Sequence, residues 1–328
     1  MIYVIVILLL LAFEFLYIRV ASKRENLFEP AWKETAGGER DGVPKEWITI
    51  RGGGIVFWFA SLILAIIVPG NLTLWFFAGV TLVALVGFID DYRGASTWLQ
   101  LILHLAAMTI AFYVADAFQT ITWWNILAAY IIFLGVLYAF KFMDDVNGMT
   151  GLYSLAVLIP LMYVNRFEEP FVHVDFLRYP FLAAVIFLMF NYRKRAASTA
   201  GAVGGMSIAF WIGFLLLLLI VKTGKIIWLS FLLVYGVDVI LTLLHRTYIK
   251  KPIFGPEKLH FYQILGNELR MDHRVVSFLY FIVQLGCSAL IIALYPSLGQ
   301  LIFWILLLIL MGLYVLKFRL IKVVKQME

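Results

Sequence analysis

Apolar stretches close to twenty residues long recur along the whole chain, and that recurrence limits the fold more than any motif does. Eleven candidate spans can be marked, at about 2–20, 54–69, 72–89, 98–116, 121–140, 151–165, 178–191, 205–221, 226–245, 275–295 and 299–316. Most approach the ~20 residues that a helix needs to cross the hydrocarbon. The 151–165 and 178–191 segments are short, which implies little tilt or shielding by neighbours. The 328 residues are 63% hydrophobic and only 14% charged, with a mean hydropathy of +0.96. A soluble domain cannot hide that much apolar surface. The expectation is an all-α polytopic membrane bundle of ten to eleven transmembrane helices, a single integral-membrane domain over residues 1–328.

The first apolar segment has no basic n-region and no small-residue cleavage site, so it reads as a retained span. One cysteine, Cys287, rules out a disulfide within the chain and a thiolate metal site. Orientation follows from the basic residues. With the N-terminus outside, the inside segments are 19–51, 92–97, 141–150, 192–204, 246–274 and 317–328. These hold 22 of the 26 Lys and Arg, leaving Arg166, Arg178, Lys222 and Lys225 outside. This is the positive-inside pattern, with the C-terminus cytoplasmic. The pI near 9.2 thus reflects cytoplasmic loops that attract anionic lipid, and needs no nucleic-acid partner. No repeat of fixed period or inverted pair of broken segments is visible.

Four polar stretches interrupt the pattern, all on the expected inner side. GFIDDYRG, 87–94, ends the third span with Asp90 and Asp91, whose side chains project about 100° apart on a helix. They are either solvated acids at the membrane exit or charges that bind a cation and steer phosphate chemistry. KFMDDVNGMTG, 141–151, places Asp144 and Asn147 on one face if the helix continues, or caps a helix-turn-helix otherwise. NYRKRAASTAGAVGGM, 191–206, joins a basic anchor to a small-residue run that can bring backbone close to an anion. In the fourth, 235–265, Asp238, Thr242 and His245 form one helical stripe ahead of Arg246 and a basic, aromatic loop. An acid inside a span calls for a partner or a function, since leaving it alone costs at least ~2.5 kcal/mol. Together the four stretches point to one cytoplasmic cleft for an anionic ligand.

In order and spacing they resemble the polyprenyl-phosphate N-acetylhexosamine-1-phosphate transferases, glycosyltransferase family 4, which include phospho-MurNAc-pentapeptide translocase and the undecaprenyl-phosphate GlcNAc-1-phosphate transferases. The resemblance runs from Ile48 onward through IRGGGI (50–55), the Asp90-Asp91 pair, KFMDDVNG, GAVGG (201–205) after Asn191, and PEKLHFYQ (256–263). It implies a helical enzyme of the cell inner membrane that moves a sugar-1-phosphate from a UDP-N-acetylhexosamine to polyprenyl phosphate, at the cytoplasmic face and with Mg²⁺. The products are UMP and the first lipid-linked intermediate of a surface polysaccharide. By the same resemblance Asp90 and Asp91 are the candidate catalytic acids. Asp144, Asn147, Asn191, Arg51, Arg246 and His260 are the candidate substrate-binding residues, and a homodimer is left open.

The sequence departs from the family pattern in the same cleft. Lys141 and Ala202 stand where the resemblance implies metal-binding Asn and Asp. A charged lysine has no lone pair for Mg²⁺, and alanine has no ligand atom. Asp145, Gly205, Glu257 and Gln100 likewise replace a glycine, a serine, a histidine and an arginine. Two further readings therefore stand beside the transferase. One is an inactive homologue, or one shaped for the fold alone, that binds lipid phosphate or nucleotide or serves as a membrane scaffold. The other is a transporter, disfavoured by the scarcity of intramembrane charge.

Overall fold

The computed structural model describes residues 1–24, 27, 49–250 and 259–327, and among them every regular element is helical. Eleven principal helices follow one another: α1 (Ile2–Ala21), α2 (Ile55–Ile67), α3 (Asn71–Arg93), α4 (Thr97–Val114), α5 (Trp123–Phe142), α6 (Met149–Tyr163), α7 (Asp175–Asn191), α8 (Gly201–Thr223), α9 (Leu233–Tyr248), α10 (His273–Leu298) and α11 (Leu301–Met327). Each predicted span falls on one of them, so the expected multi-pass bundle is the fold. The predicted inside segments 19–51 and 246–274 lie partly outside the described residues, and Ile48 and Glu257 lie wholly outside them.

Length divides the helices. Among the described residues eight segments are long and apolar enough to cross a membrane, while α2, α6 and α7 have 13, 15 and 17 residues. These three are sheltered: α7 packs on both α2 and α6, and α6 is buried along most of its length. Exposed Trp123 and Trp124 at the start of α5, and exposed Trp98 at the start of α4, mark opposite ends of the bundle. Tryptophan favours such membrane–water boundaries.

The centre is α8, buried almost throughout and packed against α3, α5 and α2. Phe210, Trp211 and Phe214 of α8 surround Phe76 of α3, and Phe133 of α5 stacks on Phe210. At the polar end the packing becomes backbone on backbone. A Cβ added to Gly204 would lie 2.3 Å from the Gly54 Cα, so only glycine permits this crossing of α8 and α2.

Helix α9 is entered through a 3-10 segment, Ile226–Leu232, and the change of helix type frees backbone groups inside the bundle. Gln284 Oε1 of α10 accepts the Val234 N–H at 2.9 Å and the Tyr153 hydroxyl at 2.6 Å. The Tyr153 oxygen in turn accepts the Tyr235 N–H at 3.0 Å, and Gln284 Nε2 donates to the Ser230 carbonyl at 3.2 Å. Such backbone groups, left unpaired in lipid, each cost several kcal/mol.

Candidate functional site

The site is assembled around the first turn of α8. A helix start leaves its first N–H groups without intrahelical acceptors and carries positive partial charge. Two carboxylates from elsewhere in the chain fill that need. Asp144 Oδ2 accepts the Gly201 N–H at 2.8 Å, and Asp91 takes the Ala202 and Val203 N–H groups at 2.9 Å each, one per oxygen. The small-residue run thus does approach anions closely, and those anions are the protein's own side chains.

Gly87 explains how Asp91 gets there. One turn before Asp91 on α3, it meets α8 so closely that a Cβ would lie 2.7 Å from the Val203 Cα. The next residue on that face of α3 is Asp91, which arrives at the end of α8. It is 6% exposed, with Arg51 Nε 4.0 Å from Oδ1. Tyr17 of α1 steadies Arg51 by donating to its carbonyl at 2.8 Å.

Asp90 faces elsewhere, as the 100° offset requires. Lys141 Nζ lies 2.8 Å from its Oδ2 and also donates to Gln100 Oε1 at 3.1 Å. Gln100 Nε2 and the Ala95 N–H both reach Asp90 Oδ1 at 3.0 Å. A Cβ added to Gly205 would stand 3.5 Å from the Lys141 Cα and 3.2 Å from the Phe140 carbonyl, so a bare α8 surface lets the end of α5 settle there. Lys141, Gln100 and Gly205, three departures from the resembled pattern, are therefore neighbours in one unit. A fourth, Asp145, accepts from Gln263 Nε2 at 2.5 Å.

Asp144 and Asn147 do not share a helix face, which corrects the sequence expectation. Helix α5 ends at Phe142, a 3-10 turn covers Met143–Asp145, and Gly148 takes φ +88° before α6 begins. That turn requires glycine. Asp144 consequently faces α8 and is held by the Thr150 hydroxyl at 2.7 Å, while Asn147 Nδ2 donates to the Arg193 carbonyl at 3.0 Å. Asn191 is buried, accepting the Gly148 N–H at 2.6 Å and donating to the Ser198 carbonyl at 2.7 Å. In this conformation it braces two loops.

The second half of the site is the turn at His260. Its partner Asp238 accepts the Tyr280 hydroxyl at 2.6 Å and the Phe261 N–H at 3.0 Å, and lies 3.5 Å from His260 Nδ1. Thr242 joins this cluster, linking Asp238 to Tyr314. His245 stands apart, half-buried and edge-on to Phe318, so the predicted stripe holds for two of its three members. Arg246 is buried near Lys317. The Tyr262 hydroxyl donates to the Phe142 carbonyl at 2.6 Å, which docks the turn beside the 141–148 segment. Burial pushes the Tyr262 phenol well above its ordinary range, so it stays a donor.

Sequence reasoning missed Glu14. It is fully buried in α1, accepts from Ser198 Oγ at 3.2 Å, and has no partner for Oε2 among the described residues. A lone acid within the otherwise apolar stretch before Arg19 is the available signal.

The acids test poorly as a cradle for Mg²⁺. Each of the six oxygens of Asp90, Asp91 and Asp144 already accepts from a donor or pairs with a cation. Among the described residues no group of three His, Cys, Asp or Glu side chains is placed to hold an ion.

The glycosyl transferase family 4 model matches residues 73–220, a little under half of the chain. That stretch, α3 to α8, carries Asp90, Asp91, Lys141, Asp144, Asn147, Asn191 and Ala202, but not Arg51, Asp238, Arg246 or His260. At the level of class, the match supports a membrane sugar-phosphate transferase. No curated protein matches the chain.

Proposed function

We propose that the cleft between α3, α5 and α8 is the site of a phosphotransferase acting on polyprenyl phosphate and a UDP-N-acetylhexosamine at the cytoplasmic face of the inner membrane. In that reaction an oxygen of the lipid phosphate attacks the sugar-linked phosphorus, the bond to UMP breaks, and sugar-1-phosphate is left on the lipid. One observation carries the reading. Asp91 from α3 and Asp144 from the turn between α5 and α6, both in the matched region, meet on consecutive amides of α8, with the Asp90–Lys141 pair alongside. A phosphate monoester is mostly dianionic near neutrality, so the lipid nucleophile needs positioning and charge neutralisation more than a base.

A second reading, ligand binding without turnover, is favoured by the commitment of each oxygen of Asp90, Asp91 and Asp144 to a donor or cation. Transfer of radiolabel from a panel of UDP-N-acetylhexosamines to polyprenyl phosphate, with and without Mg²⁺, separates the two. Labelled lipid together with UMP supports the transferase. Retention of nucleotide sugar with no labelled lipid supports the binder, and neither would refute both.

The cytoplasmic assignment has its own test. In a variant lacking the buried Cys287, single cysteines placed in the 192–204 loop are expected to react only with membrane-permeant reagents. Labelling from the outer side would invert the topology.

A further inference from the structure

We infer that Lys141 is a tethered counter-ion, an ammonium that balances the acidic cleft in the role a bound divalent cation would otherwise fill. The inference concerns charge and geometry, and does not depend on the transferase reading.

Three acids lie at this end of the bundle, Asp91 and Asp144 on the first amides of α8, and Asp90 next to Asp91 on α3 but turned toward Lys141. Two of them are balanced where they stand. Asp91 sits on two amides with Arg51 nearby, and Asp144 sits on one amide and the Thr150 hydroxyl. The start of a helix supplies only about half a positive charge, which Asp91 and Asp144 must share. Asp90 has no helix end to lean on, and its charge falls to Lys141 at 2.8 Å.

The lysine is also built in. Gln100 bridges both members of the pair, giving its amide to Asp90 and its oxygen to Lys141. The Tyr138 ring lies 5.9 Å from Nζ, and the absent side chain of Gly205 lets the backbone at Lys141 rest on α8. Two of the ammonium's three N–H donors are thereby used. A chance lysine at a membrane exit would extend to water, whereas this side chain is only 22% exposed.

A covalently attached cation cannot be removed by a chelator, so the native chain should ignore divalent ions. Deleting the ammonium leaves Asp90 Oδ2 without its cation, and Mg²⁺, which binds through one or two carboxylates and its own waters, needs no cradle of three side chains to take that place.

The experiment uses the full chain in detergent, following thermal unfolding in EDTA and across a Mg²⁺ titration, and Mn²⁺ retention by electron paramagnetic resonance. The native protein should show no saturable shift and no Mn²⁺ above a detergent blank. Lys141→Asn should gain a saturable Mg²⁺ stabilisation and hold Mn²⁺ at least about tenfold more tightly, because an adjacent positive charge has been removed. Lys141→Gln, which keeps a donor for Asp90, carries the same expectation, and Lys141→Arg should behave as the native chain does. Saturable Mg²⁺ binding by the native protein would overturn the inference, whatever the variants do. So would a folded Lys141→Asn or Lys141→Gln that gains no ion. Neither measurement reads transferase activity, so absence of turnover leaves the inference standing.

Discussion

Asp91 and Asp238 are both carboxylates buried toward the polar end of a membrane bundle, and the chain satisfies them by opposite means. Asp91 receives main-chain donors from a helix far away in sequence, one amide on each oxygen. Asp238 is held mostly by side chains, the hydroxyls of Tyr280 and Thr242 and the imidazole of His260, with one amide from Phe261. Main-chain donors are fixed by the helix that carries them. They cannot rotate, and they fix where α3 meets α8. Hydroxyls can turn to donate or accept, so the Asp238 cluster can adapt when its acceptor changes. The rigid arrangement sits under the acidic cleft, and the adaptable one anchors the His260 turn.

The largest effect should come from Asp91→Ala. Two buried amides would lose their acceptors and Arg51 a counter-charge, a loss of about 3–5 kcal/mol. Thermal or dodecyl-sulfate denaturation of the solubilised protein would show it. A loss below about 1 kcal/mol would mean that solvent reaches those amides and that the contrast with Asp238 is unfounded.

Next comes the comparison of amides at the two sites. Asp91→Asn forces an NH₂ against a backbone N–H, donor against donor, and should cost about 2–3 kcal/mol. Asp238→Asn presents its oxygen to the Phe261 N–H and Thr242 hydroxyl and its NH₂ to the Tyr280 oxygen, which can turn to accept. Its cost should be smaller by at least ~1 kcal/mol. Equal losses would break the distinction between fixed and adaptable donors.

Part of this arrangement is legible in the sequence. The spans are, since a water-soluble core has no use for so many apolar runs of bilayer length. The divergence of Asp90 and Asp91 follows from helix geometry, and Lys141 stands out as the odd residue in its stretch. What stays hidden depends on partners distant in the chain. Nothing near Asp91 says that its oxygens serve amides 111 and 112 residues away. Gln284 reads as an isolated polar residue in a span, yet Tyr153, 131 residues earlier, donates to it. The shared face of Asp144 and Asn147 fails for a local reason. Helix α5 already ends at Phe142, and Gly148 closes the turn that follows in a left-handed conformation, while the residues around it permit either continuation.

Within the adaptable cluster, Tyr280→Phe removes the shortest bond to Asp238 and nothing else. A hydrogen bond to a charged group contributes roughly 1.5–3 kcal/mol, and Thr242 can recover part of that by rotating, so about 1–2 kcal/mol is expected. Thr242→Val combined with Tyr280→Phe should then cost more than the two single changes together, because each hydroxyl compensates for the other. Strict additivity would show that these hydroxyls do not substitute for one another.

The smallest effect tests a third way of holding a carboxylate, outside the membrane-spanning segments. Asp272 caps α10, accepting the Arg274 N–H at 2.9 Å and pairing with the Arg274 guanidinium at 2.7 Å, open to water. The Arg274 side chain holds this carboxyl well below the usual aspartate range. The sign follows from that depression. Its contribution is complete above the unfolded-state value of about 3.9 and disappears as pH falls through the lower folded-state value. The stability difference between the native chain and Asp272→Asn should thus be level from neutral pH down to about pH 5, and shrink only below about 4. Asparagine is itself a good N-cap, so the difference isolates the charge and not the cap. Because the pair is exposed, added salt should weaken it, while the Asp91 variants should respond far less. A difference that already changes between about pH 8 and 6 would point to another titrating group. A salt-sensitive Asp91 would place that carboxylate with Asp272, and dissolve the contrast between a buried main-chain clasp and a solvated cap.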